Sequence, residues 1–217
     1  SSTPLSCTNL VSLLKEAGLP DGWCQVMYLK SKDATKLVTD PRVAFFTFIG
    51  SGKVGWWLRS QLAPGTRCAL EHGGVAPVII EADADIEKIT PLLIKGGYYH
   101  AGQVCVSTQR IYAHKSIADK LINALAQKVK ELKTGDATLP DTEVGPLIST
   151  AEVDRVDEWV KEAVSEGAEV IVGSGKISDT VYSPTLLKNP KPDSKVSTSE
   201  VFGPVVCVTS YEDTEDA

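Results

Sequence analysis

Apolar residues recur at helical spacing from Leu5 to Ala17 (Leu10, Leu13, Leu14, Ala17), and the run stops at Gly18, where a C-terminal glycine fits, so a helix is expected here. Gln25 to Leu29 reads as a short strand and Asp33 to Val38 as a helix turn or two. Between Pro41 and Gly50, the apolar and aromatic run from Val43 to Ile49 has the pattern of a buried parallel strand. A helix from about Lys53 to Leu62 follows a glycine cluster, and strands are expected at Arg67 to Leu70 and Val78 to Ile80. Further on, Ile86 to Tyr99 is helical and Gln109 to Ala113 a strand. Ser116 to Leu132 places Leu121, Leu125, Val129 and Leu132 on one helix face, with Ser116 as N-cap. A polar loop from Thr134 to Ile148 leads to a helix over Ala151 to Ser165. Strand signals then follow at Val170 to Val172, near Val181 to Leu187, and at Pro204 to Val208. Strand and helix alternate throughout, which predicts an α/β fold with mainly parallel sheet and no internal repeat.

The 217 residues carry 28 Asp+Glu against 22 Lys+Arg, a formal net charge of −6. A nucleic-acid partner is therefore not expected, since phosphate recognition needs clustered positive charge. Hydrophobic residues at 42% and charged residues at 23% describe a chain able to bury a core rather than a disordered one. Neither a membrane span nor a signal peptide is legible, so a cytoplasmic protein without a membrane partner is expected. The five cysteines (Cys7, Cys24, Cys68, Cys105, Cys207) are odd in number and form no CxxC pair. That argues against a disulfide framework or zinc ribbon, and most should be buried thiols. His72, His100 and His114 also miss metal-ligand spacing, and no metal site is expected.

Four segments could carry chemistry. Gly50-Ser51-Gly52-Lys53-Val54-Gly55 satisfies G-x-G-x-x-G between an expected strand and helix, where backbone N–H groups and the helix dipole can receive a pyrophosphate. Leu70-Glu71-His72-Gly73-Gly74 sets a carboxylate at a strand end before two glycines. Gly102-Gln103-Val104-Cys105-Val106-Ser107 places a thiol in a loop of small residues after a helix, where nearby N–H dipoles would favour the thiolate. Glu200-Val201-Phe202-Gly203-Pro204-Val205 holds an acid and an aromatic ring just before a strand. Each alone also has a structural explanation: a packing turn, a satisfied carboxylate, an inert thiol, an ordinary turn.

Taken together, the order and spacing of the four segments resemble the aldehyde dehydrogenase superfamily over essentially the whole chain. The resemblance implies that Cys105 is the nucleophile, with its own backbone N–H in the oxyanion hole, and Glu71 the base for the hydrolytic water. Gly50, Ser51 and Gly55 would lie along the cofactor diphosphate, Gly52 being incidental. Glu200 would hold the nicotinamide ribose and Phe202 would pack near the nicotinamide. It further implies NAD or NADP as cofactor, a small-molecule aldehyde as substrate, and a homo-oligomeric full-length protein. Residues 1–71 would be the C-terminal part of a Rossmann-type cofactor domain, and 72–217 a catalytic domain incomplete at its C-terminus. On this reading the chain is a middle section, weakly active or inactive by itself. His72, Val75 and His100 depart from the residues more frequent in the family. Two readings from other classes stand beside it: a cysteine hydrolase pairing Cys105 with His100 or His114, and a non-catalytic nucleotide-binding or assembly domain.

Overall fold

The computed structural model describes residues 3–217. The chain divides into two compact units, Ser1–His72 and Gly73–Ala217. The first holds helices α1 (Leu5–Glu16), α2 (Ser31–Val38) and α3 (Gly52–Ser60), and two strands, β1 (Phe45–Ile49) and β2 (Arg67–Glu71). β1 and β2 pair in parallel, from Phe45 opposite Arg67 to Ile49 opposite Glu71. Phe46 is buried and Phe48 half-buried, but Phe45 and Ile49 lie open, so the expected burial of this strand holds on one face only. The sheet has two strands among the described residues, and α3 covers the Phe48 side through Gly55.

Gln25 to Leu29 is not a strand. No described strand pairs with it, and Met27 and Tyr28 stay exposed, so apolar residues without a hydrogen-bonded neighbour leave the backbone irregular.

The second unit holds β3 (Ala76–Ile80), α4 (Ile86–Tyr98), β4 (Thr108–His114), α5 (Lys115–Glu131), α6 (Thr150–Ser165), β5 (Glu169–Val172), β6 (Thr185–Lys188), α7 (Lys195–Thr198) and β7 (Val205–Tyr211). Its sheet runs β3-β4-β7-β6-β5, parallel except for the antiparallel β5–β6 pair. β4 alternates strictly, with Gln109, Ile111 and Ala113 inward. The α5 stripe of Leu121, Leu125 and Val129 is buried in the same core, each such side chain contributing roughly 1.5–3 kcal/mol.

The N-cap of α5 is His114 rather than Ser116. Its Nδ1 accepts from the Ser116 N–H at 3.3 Å, because β4 runs straight into the helix and leaves no earlier turn for a serine cap. The strand expected over Val181 to Leu187 is confined to Thr185–Lys188, since Pro184 interrupts it and Tyr182 makes only an isolated bridge to Lys176. Of the cysteines only Cys207 is buried; Cys24 and Cys68 are intermediate, and Cys7 and Cys105 are exposed. No described helix is long and apolar enough to cross a membrane.

Candidate active site

In the first unit the candidate residues gather at the carboxyl end of β1 and β2. Gly50 turns the chain from β1 into α3, whose N-cap Ser51 makes no side-chain capping bond, so the first N–H groups of the helix have no side-chain acceptor from the cap. A Cβ on Gly50 would lie 2.7 Å from Phe48 Cζ, and one on Gly55 would lie 2.4 Å from His72 Cε1. On Gly52 it would meet nothing closer than 3.9 Å, so a side chain at 50 or 55 would have to displace the Phe48 or His72 ring and one at 52 would displace nothing. The Gly50 N–H donates to Glu71 O at 3.1 Å. His72 Nδ1 lies 3.2 Å from Gly50 O and must carry the proton against that carbonyl, leaving Nε2 buried and without a partner. Glu71 ends β2, exposed.

In the second unit three parallel strands begin side by side, Ala76 paired with Thr108 and Arg110 with Cys207. Gly73-Gly74 lead into β3, Cys105 leads into β4, and Glu200–Phe202 lead into β7. The sheet thus collects these segments at the amino ends of adjacent strands, the reverse of the carboxyl-end arrangement usual in open α/β sheets. The turn before the cysteine is left-handed at three successive residues, His100 (φ 50°), Ala101 (φ 56°) and Gly102 (φ 71°). Two non-glycine residues there cost roughly 1–2 kcal/mol each. The contact they permit is close: a Cβ on Gly102 would lie 2.0 Å from Gly203 O. Gln103 locks the turn from the other side, donating to Pro146 O (3.1 Å) and accepting from Ile148 N–H (2.9 Å). Cys105 follows, exposed.

Glu200 lies against Gly73, where a Cβ would sit 1.9 Å from its Oε1. That oxygen is buried and has no hydrogen-bond partner. Burial holds the Glu200 carboxyl above its ordinary range, opposed by the Gly74 N–H and by the positive charge of Arg155. Phe202 is left-handed (φ 48°) and 39% exposed. Glu200, Phe202, Gly102, Val104 and Ser107 line one cavity of about 10 Å³, where the Cys105 loop and the Glu200 turn meet. Beside it, Leu92, Gly96, Tyr99, Val104 and Val106 line an open, mostly apolar cleft of about 300 Å³.

Each unit by itself offers chemistry suited to part of a dinucleotide: the first a glycine turn at a helix N-terminus, the second an acidic oxygen free to accept from a hydroxyl. His114 lies at the far end of β4 from Cys105, about 20 Å along the strand, and its Nδ1 is engaged in the α5 cap. His100 stacks edge-on against Tyr99 at 4.0 Å, and among the described residues no hydrogen bond joins it to Cys105.

The sequence matches the aldehyde dehydrogenase family profile over residues 1–217. The chain belongs to this family. It is 40% identical over 215 residues to a 3-sulfolactaldehyde dehydrogenase of Priestia aryabhattai, covering 99% of this chain and 45% of that protein. It is 37% identical over 222 residues to succinate-semialdehyde dehydrogenase [NADP(+)] 2 of Schizosaccharomyces pombe, again 99% of this chain and 45% of the relative. A crystal structure of betaine aldehyde dehydrogenase from Staphylococcus aureus in complex with NAD+ superposes with a TM-score of 0.91 at 33% identity, covering 98% of this chain and 44% of that one. This aldehyde dehydrogenase chain thus spans about 45% of the length of the curated relatives it matches. Sequence reasoning missed Gln109 and Arg155, whose side chains hold the backbone beside Glu200. The signal available was a polar residue at an inward position of the Gln109-Ile111-Ala113 alternation.

Proposed function

We propose that the protein carrying this chain oxidises an aldehyde to a carboxylic acid with NAD+ or NADP+. The observation that carries the reading is the shared cavity joining the Cys105 loop to the Glu200–Phe202 turn at the starts of neighbouring strands. The Cys105 thiolate adds to the aldehyde carbon, giving a thiohemiacetal whose oxyanion the Cys105 N–H helps to stabilise. The C–H hydrogen then leaves with its electron pair and a thioester to Cys105 remains. A bound NAD+ or NADP+ would supply the acceptor for that hydride. Glu71 takes a proton from the water that attacks the thioester, which releases the acid and returns the thiolate. Gly50, Ser51 and Gly55 would hold the diphosphate, Glu200 the nicotinamide-ribose hydroxyls, and Phe202 would pack against the nicotinamide. The substrate chain occupies the apolar cleft by Tyr99, Val104 and Val106. Residues 1–71 belong to the cofactor domain and 72–217 to the catalytic domain.

Five free thiols support a reducing compartment, the cytoplasm, and the net charge of −6 supports the absence of a nucleic-acid partner. The same reading carries a homo-oligomeric full-length protein, as the family resemblance implies.

The test is Cys105→Ser and Glu71→Gln in the protein expressed from the complete reading frame. The first should abolish aldehyde-dependent cofactor reduction. The second should leave a single rapid burst of reduced cofactor followed by slow turnover. Full steady-state activity in either variant removes that residue from the mechanism.

A further inference from the structure

The turn that carries Glu200 and Phe202 is fastened by its backbone, which leaves the functional side chains free. Gln109 points inward from β4 and is 4% exposed. Its Nε2 donates to Val196 O (2.8 Å) and Ser199 O (2.9 Å), and its Oε1 accepts from the Val201 N–H (2.8 Å). Two carbonyls and one N–H admit a single orientation of the amide. From α6, Arg155 Nη2 donates to Val201 O at 2.7 Å. Both backbone polar groups of Val201 are therefore held by side chains from two different elements, and its own side chain is 1% exposed. On one side of it stands Glu200, with Oε1 unpartnered, and on the other Phe202, in a backbone region a bulky residue leaves when it can. Neither functional side chain is spent on holding the turn.

We propose that Gln109 is a positioning residue of the cofactor site: from the strand that follows Cys105 it fixes the backbone on both sides of Val201, so that Glu200 and Phe202 meet the nicotinamide riboside without rearranging. This extends the aldehyde dehydrogenase reading above and rests on it. An unclamped turn would have to be ordered at the moment of binding, and the cost would fall on the nicotinamide half of the cofactor alone.

The test has two parts. In the 217-residue chain, amide exchange at Val201 should be as slow as at Ile111 in β4. It should accelerate at least tenfold in Gln109→Met or in Gln109→Glu, which keeps the shape and removes both donors, while Ile111 is unchanged. Fast exchange at Val201 in the wild-type chain overturns the clamp even if neither variant folds. In the protein from the complete reading frame, either variant should bind the preferred dinucleotide about tenfold or more weakly by calorimetric titration, and bind ADP, which lacks the nicotinamide riboside, as the wild type does. Equal weakening of both ligands, or no weakening of the dinucleotide, overturns the positioning role. Failure of the wild-type protein to bind NAD+ or NADP+ overturns the aldehyde dehydrogenase reading and this extension with it, whereas the clamp itself is still judged by Val201 exchange.

Discussion

Gly73 is glycine because the Glu200 carboxylate stands where its Cβ would be, 1.9 Å away. The obstructing atom is the tip of a flexible side chain, so Gly73→Ala should fold with little loss of stability yet displace Glu200. Cofactor affinity in the complete protein should fall about tenfold, and unaltered affinity would show that Glu200 does not need this place. A second expectation concerns charge. Burial raises the folded-state pKa of Glu200 above its unfolded value, so the native state holds the proton to higher pH, and stability falls as pH rises from the ordinary carboxylate range through the raised value. Glu200→Gln removes that loss: its melting temperature should draw level with or exceed wild type as pH climbs through this window. A difference that stays constant with pH would contradict the assignment. Cys105, Glu71, Glu200 and the turn glycines can be singled out as candidates from the sequence because each sits in a short contiguous pattern. Gln109 cannot, since its partners Val196, Ser199 and Val201 are remote in sequence and offer only backbone atoms, which no side-chain pattern records.

Helices were read well where an apolar stripe met a packed sheet. The Leu121, Leu125 and Val129 stripe fixed α5 to within a residue of its observed limits. Segments without such a partner misled: Gln25 to Leu29 has the residues of a strand and no ladder, and the four-residue α7 is too short to display a period. Connections between loops were equally hidden. Gly102 and Gly203 meet backbone to backbone, and Gly102 is left-handed, so Gly102→Ala offers no side chain that can swing aside. It should destabilise the chain by more than about 2 kcal/mol in urea unfolding. Gly52→Ala, with open space around a helical position, should be neutral or stabilise by up to about 1 kcal/mol. Equal effects from the two substitutions would refute this steric account.

Buried apolar side chains are distributed unevenly. Every member of the main core cluster falls at or after Ile80, whereas among the described residues of the first unit the buried apolar side chains are Phe46 and Leu58, and Trp23, Phe45, Ile49, Trp56 and Trp57 are exposed. Limited proteolysis of the 217-residue chain should therefore cut first within residues 3–72 and leave a resistant product beginning near Gly73; first cuts inside β4 or β7 would contradict this ranking. The alternation of strand and helix made the α/β class legible, but this imbalance was not, because residues 43–49 look as apolar as any core strand. The strands β3, β4 and β7 lie side by side in the same order in which the chain makes them. Between β4 and β7 the chain leaves the sheet at His114, adds β5 and β6 to it, and returns to place β7 between β4 and β6. Its exposed loops can lengthen, shorten or change their surface without moving the Cys105 thiol relative to the Glu200 carboxyl, which stand before neighbouring strands. Two parts are tied down: Pro146 to Val156, which reaches back to Gln103, Val201 and Gly203, and Val196 to Val201, which Gln109 holds. A lineage of such proteins is thus free to drift over the exposed residues 136–141 and 176–180 on one evolutionary clock, while the clasped stretches keep time with the strand ends they join.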